Sequence, residues 1–232
     1  MSVQEAYVVP GGEHADVGAR LSRAVSLYAD NFLPFFLMAL ITFPLTALAA
    51  VWKYGFVFTI PNALISLVVS AAIILGAEQA LSGKTPEPGA NLSAAMDRFG
   101  KLIEYALRAF GAVLGLAITI VGIPWAFRVG VRWFLGTQAI ILHGHDAKGA
   151  ISESCRLVEG NWWRSFGNLI LIGLIVGLPN GIFAIAMPGW EGGLIGAALG
   201  TFTTPFGVIA VTLYYLRLRQ EKGPLVTEPT AA

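Results

Sequence analysis

Long apolar stretches separated by short polar segments dominate this sequence. Five of them lack Asp, Glu, Lys, Arg and His and are close to the 20 or so residues of helix that cross a bilayer. They are Asn31–Trp52, Tyr54–Ala77, Ala109–Phe127, Ser165–Trp190 and Gly192–Leu216. A sixth stretch, Trp125–Gly144, is long enough but contains Arg128, Arg132 and His143. The pattern predicts an all-α polytopic membrane protein with six transmembrane helices.

Short polar or Gly- and Pro-containing segments separate these stretches in pairs. They are Lys53–Gly55, Gly122–Pro124 and Pro188–Glu191. Turns this short predict that the six helices form three hairpins whose turns lie on the same side of the membrane.

Three amphipathic segments precede the predicted hairpins. Leu21–Asp30, Leu92–Glu104 and Ile151–Gly160 combine charges with apolar residues at helical spacing. Such segments are typical of helices that lie in the membrane interface, here on the cytoplasmic side. The alternative is that they only extend the transmembrane helices.

The amphipathic segment and the hairpin that follows it recur as a unit. The units cover about 21–82, 91–144 and 151–217 of a membrane domain at 21–220. Leu21-Ser22, Leu92-Ser93 and Ile151-Ser152 begin them, which predicts an internal repeat. Residues 1–20 are predicted to be a cytoplasmic segment, and residues 221–232 a disordered cytoplasmic tail.

The composition agrees with a membrane location. Hydrophobic residues form 56% of the 232 residues and charged residues 12%, which leaves too little polar surface for a water-soluble domain. The net charge is only +1, so no basic surface exists for nucleic acid. Six helices would place twelve of the fifteen Lys and Arg residues on one side, which predicts that this side, with both termini, is cytoplasmic.

Small residues four positions apart mark two helices. The two sets are Gly173, Gly177, Gly181 and Gly192, Gly196, Gly200. Such glycine-zipper patterns let transmembrane helices approach closely. We expect the fifth and sixth helices to pack on each other, with a homodimer face as the alternative.

Charges within the apolar stretches are the candidate functional groups. Arg128 and Arg132 share a helical face and are candidates to hold an anion or a lipid headgroup, unless both extend to the outer headgroups. Glu78 and Arg108 are expected at similar depth, which predicts a structural ion pair.

Motifs for other chemistry are weak. His143, His145 and Asp146 form a short ligand-rich cluster, but a polar helix end explains it and Cys155 is the single cysteine, so no metal is predicted. No nucleophile elbow, phosphate-binding loop or dinucleotide fingerprint is present, and carboxylates do not converge. The sequence therefore predicts no enzyme and no cofactor.

Two stretches resemble a known family. The segment from Ala150 to Phe166 reads AISESCRLVEGNWWRSF, and that from Leu213 to Glu221 reads LYYLRLRQE. Both are similar to uncharacterised bacterial integral membrane proteins that resemble the glycerophosphoryl diester phosphodiesterase membrane domain. Tyr215 stands where that family tends to have an acidic residue. The resemblance covers the membrane part only, without a catalytic barrel, and implies a multi-pass protein of a bacterial cell membrane.

Two functional hypotheses follow. The first is a non-enzymatic scaffold or a module that binds membrane lipids or other membrane proteins. The second is a small transporter or permease-like component, in which Pro44, Pro179, Pro205 and the arginine pair line a cavity.

Overall fold

The computed structural model describes residues 17–52 and 54–223, and within these ranges the chain is helical with no strand. The α-helices are α1 (Val17–Asp30), α2 (Phe32–Leu40), α3 (Phe43–Val51), α4 (Thr59–Leu81), α5 (Pro88–Asp97), α6 (Phe99–Ala117), α7 (Ile123–Trp133), α8 (Gly136–His143), α9 (Ala147–Val158), α10 (Trp162–Ala186) and α11 (Trp190–Lys222). Two short 3₁₀ turns, Gly55–Phe58 and Ile120–Gly122, precede α4 and α7.

Three segments are long and apolar enough to cross a membrane. They are Gly55–Leu81, Trp162–Phe183 and Trp190–Lys222. The α2–α3 pair is a fourth if a bent pair counts as one crossing. Only 11% of the most apolar part of α10 is buried within the protein, so its apolar surface needs a lipid environment. The all-helical class and the apolar helices are confirmed, whereas six transmembrane helices are not.

The first predicted transmembrane stretch is a broken helix. α2 and α3 meet at Ile41–Thr42 and are bent by 46° relative to each other. Pro44 is the physical cause, because it has no N–H to donate to the carbonyl of Leu40. The hydroxyl and the N–H of Thr42 both bond to the carbonyl of Ala39 and close the end of α2.

The second predicted hairpin differs most from the sequence prediction. The stretch Ala109–Phe127 was expected to be one helix, but α6 ends at Ala117 and α7 starts at Ile123. The stretch Trp125–Gly144 is likewise divided between α7 and α8. The interface segment Leu92–Glu104 is divided at Arg98. The short turn is therefore at 118–122, earlier than expected, and neither arm is a single apolar helix.

Two polar side chains hold the break between α7 and α8. The hydroxyl of Ser154 on α9 donates to the carbonyl of Arg132 and accepts from the N–H of Leu135. The Tyr105 hydroxyl of α6 donates to the carbonyl of Trp133. These side chains replace the backbone hydrogen bonds that the break leaves unmade, and they fix α7 against α6 and α9.

α11 is the central helix of the fold. It contacts α10 more extensively than any other pair of elements does, and it also packs on α1, α3 and α4. Arg20 of α1 donates to Asn168 of α10 at 2.9 Å, and its guanidinium lies 4.9 Å from the centre of the Tyr214 ring. The expected packing of the last two long helices is thus confirmed.

The close contacts of these helices follow the predicted glycine pattern only at Gly192. Cβ atoms built on Gly173, Gly177, Gly181 and Gly200 would meet no atom of the described chain. A Cβ on Gly192 would meet the carbonyl oxygens of Met187, just after α10, and of Phe183, whereas one on Gly196 would only approach the Asn180 amide oxygen. A second close fit between α10 and α11 is at Gly207, outside the predicted stripes, where a Cβ would lie 2.9 Å from Val176. On α10, Gly177 and Gly181 are exposed and Gly173 borders a cavity between α4, α10 and α11, so this stripe does not join the two helices.

The end of α11 is ordered beyond the predicted boundary. Glu221 and Lys222 are helical, so the predicted tail does not begin at residue 221. Residues 224–232, like residues 1–16 and Lys53, lie outside the described residues.

Candidate functional site

The two predicted arginines lie in a groove between α7 and the start of α10. Two adjoining cavities of about 360 Å³ and 130 Å³ form this groove, and Arg128 and Trp162 line both. Its lining residues, here called the arginine groove, are Pro124, Arg128, Arg132, Val158, Glu159, Gly160, Trp162 and Trp163. The pattern of charges identified the arginines, but nothing in the local sequence connects them with the tryptophans.

Local structure explains why both arginines face the groove. They are four residues apart on α7, so their side chains leave the helix on one face. Ala126 and Val131 are buried and hold α7 against the protein. α9 fixes the end of α7 through Ser154, which sets Arg132 beside the turn that leads into α10.

The groove carries uncompensated positive charge. Within residues 17–52 and 54–223, neither Arg128 nor Arg132 has an acidic group within 4 Å. Glu159 lines the smaller cavity without forming an ion pair with them. Two guanidinium groups with free donors favour a bidentate anion such as a phosphate or a carboxylate.

Aromatic rings form the other wall of the groove. Trp162 stacks on Phe166 with ring centres 5.2 Å apart, and Trp163 stands at right angles to Trp162 at 4.8 Å. Trp163 is 77% exposed. The indole nitrogen of Trp162 is buried and has no hydrogen-bond partner in the described chain. Tryptophan rings beside cations are typical of the headgroup layer of a membrane.

The predicted Glu78–Arg108 pair is not formed. Arg108 bonds instead to Glu104 one turn earlier on α6, at 2.8 and 3.0 Å. The charge that interacts with Glu78 is that of Arg98. The prediction was wrong because it placed Arg108 at the start of a helix, whereas Arg108 is the tenth residue of α6.

The histidine cluster is divided between two structural roles. His143 Nδ1 lies 2.9 Å from the Tyr215 hydroxyl, and Arg219 donates to that hydroxyl at 3.4 Å. Asp146 caps α9 by accepting from the Gly149 N–H at 2.8 Å. Among the described residues, no three His, Cys, Asp or Glu side chains are grouped as metal ligands.

The two stretches that carry the family resemblance meet in space. Arg164 near the start of α10 and Arg217 on α11 both donate to Glu221. Glu153 on α9 is fully buried and holds Arg156 through two bonds of 2.9 Å. Arg156 then donates to the carbonyls of Lys222 and Gly223. This network joins α9 and α10 to the end of α11.

Comparison with known proteins gives no relative. No family model, no curated protein and no solved structure matches this chain. The fold and the groove therefore define the chain as an all-helical protein with several helices apolar enough to span a membrane.

Proposed function

We propose that this protein is a non-enzymatic module of the cytoplasmic membrane that binds anionic lipid headgroups through the arginine groove. The observation that carries this proposal is the pair of unpaired arginines facing two tryptophans in one groove. Phosphate-sized anions fit such a site, and the tryptophans suit the polar edge of the bilayer. The resemblance to bacterial membrane proteins supports the same location.

Four of the ten acidic groups in the described chain are engaged in structural contacts, which favours a non-enzymatic role. Glu104 pairs with Arg108, Glu153 with Arg156 and Glu221 with Arg217. Asp146 caps a helix. Carboxylates engaged in this way stabilise the fold and are not gathered around one reacting position, as acid–base chemistry requires.

A topology with four membrane-crossing segments explains the position of the arginine groove better than the six predicted from sequence. Pro124 and Arg132 are eight residues apart on α7, about 12 Å along a helix. Both line cavities that also contain Trp162. We therefore infer that α7 lies across the start of α10 rather than beside it. We infer that the α6–α7 hairpin rests in the membrane interface, with α2–α3, α4, α10 and α11 as the crossing helices.

The distribution of charge supports this topology. With four crossings, fourteen of the fifteen Lys and Arg residues lie on one side, and Lys53 is the exception. Six crossings leave Arg128 and Arg132 nearer the opposite side. The positive-inside rule then gives cytoplasmic termini and a cytoplasmic arginine groove. Exposed apolar side chains at the hairpin tip, Ile118 and Val121, would enter the lipid only shallowly.

Cysteine labelling in spheroplasts tests this topology. In a Cys155→Ser background, Thr119→Cys at the tip of the α6–α7 hairpin should not react with an impermeant maleimide added from outside. Tyr54→Cys, in the turn between α3 and α4, should react and serves as the matched control. Labelling of Thr119→Cys at the rate of Tyr54→Cys would restore the six-helix topology.

Native mass spectrometry tests the lipid site. We expect phosphatidylglycerol to remain bound to the purified protein and phosphatidylcholine to be lost. The double variant Arg128→Gln, Arg132→Gln should weaken phosphatidylglycerol binding by about tenfold or more, since each charge-assisted bond contributes about 1.5–3 kcal/mol. Arg108→Gln is the matched control, because Arg108 is already paired with Glu104.

Two results would contradict the lipid proposal. One is equal retention of both lipids by the wild type, and the other is unchanged binding in the double variant. Competition by millimolar inorganic phosphate, without any preference for the lipid, would assign the groove to a free anion.

A further inference from the structure

Two neighbouring cavities lie among the apolar crossing helices. The outer cavity, of about 190 Å³, lies between the α2–α3 break, α4 and α11. The inner cavity, of about 400 Å³, extends from α4, α10 and α11 to the start of α8. Ser70 and Thr204 line both, so the two cavities adjoin. We call them together the hydroxyl chamber.

The outer cavity is polar although apolar helices surround it. Its polar lining consists of Thr42, Thr46, Asn62, Ser66, Ser70, Thr201 and Thr204. Counted from Gly55, Asn62 and Ser70 lie about 10 and 22 Å along the crossing segment. These hydroxyl and amide groups are therefore at the depth of the hydrocarbon, where lipid offers them no hydrogen bonds.

Some of these groups are satisfied within the protein and others are not. The hydroxyls of Thr42, Thr46 and Thr201 donate to backbone carbonyls of the preceding turn. In the described chain, the hydroxyls of Ser66 and Thr204 make no hydrogen bond. These two hydroxyls can therefore donate hydrogen bonds to a bound molecule and accept them from it.

A further polar group without a hydrogen bond lines the inner cavity. Gln138 lines it and is only 5% exposed, yet its side-chain oxygen has no hydrogen-bond partner. An unsatisfied buried amide oxygen costs about 1–3 kcal/mol. Such a group at the wall of a cavity indicates a bound polar molecule.

The lining defines the chemistry of the guest. None of the residues that line either cavity has an ionisable side chain, so the charge of an ion would be uncompensated at this depth. Hydroxyl and amide groups both donate and accept. The outer cavity alone has room for about six water molecules, at about 30 Å³ each.

We propose that the hydroxyl chamber binds a small uncharged polyol of about the size of glycerol. The site is separate from the arginine groove, since Arg128 and Arg132 line neither cavity. The chamber would be the solute-binding site of the permease-like hypothesis, and the arginine pair would take no part in it. Failure of lipid binding at the groove leaves this proposal intact, and the converse also holds.

Solute protection of an introduced cysteine tests the chamber. In a Cys155→Ser background, Ser70→Cys in detergent should react with methyl methanethiosulfonate, a small uncharged reagent. Glycerol at 1 M should slow this reaction at least threefold. Thr203→Cys is the matched control, because it is next to Thr204 but lines neither cavity. Glycerol should slow the reaction of Thr203→Cys only by the factor that the higher viscosity of the solution explains.

A second pair of variants tests whether the lining itself recognises the polyol. Thr204→Val keeps the shape and removes a free hydroxyl, and should reduce glycerol protection of Ser70→Cys at least threefold. Thr203→Val should leave it unchanged, since the Thr203 hydroxyl is already bonded to Leu199. If Ser70→Cys does not fold, Ser66→Cys replaces it.

Three results would overturn the proposal. They are an unreactive cysteine at both chamber positions, equal slowing by glycerol at the chamber and at residue 203, and protection by Na⁺ or K⁺ without protection by glycerol. The last result would identify a cation site.

Discussion

At Gly136, the first residue of α8, the surrounding atoms leave no room for a side chain. A methyl group there would overlap the ring of Tyr105, which is buried and bonded to the carbonyl of Trp133. We expect Gly136→Ala to lower stability by about 1–3 kcal/mol, as overpacking does. Thermal unfolding in detergent measures this.

Two comparisons separate the overlap from a general effect of alanine. Gly130→Ala on α7 has open space around it, so it should be neutral or slightly stabilising. Adding Tyr105→Ala to Gly136→Ala should cost less than the sum of the two single changes, because the overlap is then absent. Strict additivity would refute this account of Gly136.

His143 gives the fold a dependence on pH. Its burial, followed by the charges of Arg219 and His145, lowers the pKa of His143 to about 3. Below the ordinary pKa of 6.5, His143 binds a proton in the unfolded chain but not in the folded chain. The free energy of unfolding therefore falls as pH falls. Between pH 7 and pH 5 we expect a loss of about 2 kcal/mol, or roughly 4–8 °C in Tm.

The His143→Gln variant isolates this contribution. Glutamine can still bond to Tyr215 but does not titrate, so the Tm of this variant should fall less between pH 7 and pH 5. His145→Gln should retain the wild-type dependence. Equal pH dependence of His143→Gln and the wild type would assign the effect to other groups.

At the scale of elements, one close contact between α10 and α11 is made at Gly207, a glycine outside the predicted stripes. Gly207→Val would press against Val176 and should lower Tm by several degrees, since overpacking costs about 1–3 kcal/mol. Gly177→Val meets open space and should leave the unfolding of the monomer unchanged. Equal destabilisation by both variants would contradict this packing. Loss of a dimer in Gly177→Val would support the homodimer face.

Sequence patterns predicted the elements better than their arrangement. Long runs without charge identified α4, α10 and α11, because hydropathy is a local property. The break of α7 at Phe134 depends on Ser154, a residue from another helix, and so has no local signal. Arg132 was recognisable as a charge in an apolar run. Its neighbour Trp162 was not, because only tertiary packing brings the two together.

For the whole molecule, the most important polar contact is the network that joins α9 to the end of α11. Arg156→Leu leaves Glu153 buried and unpaired, which costs about 3–5 kcal/mol. We expect a loss of about 10 °C in Tm. Arg108→Leu removes an exposed pair and should change Tm little. Similar losses in both variants would show that burial of Glu153 does not set the cost.

α11 is also longer than a membrane is thick. Its 33 residues extend about 50 Å, whereas the hydrocarbon layer measures about 30 Å. Arg156 and Arg164 bond its last turns to α9 and α10, so α11 cannot shift along its own axis independently of these helices. Thinner bilayers must therefore tilt it, and α10 with it. We therefore expect changes in acyl-chain length to alter the width of the proposed chamber beside them.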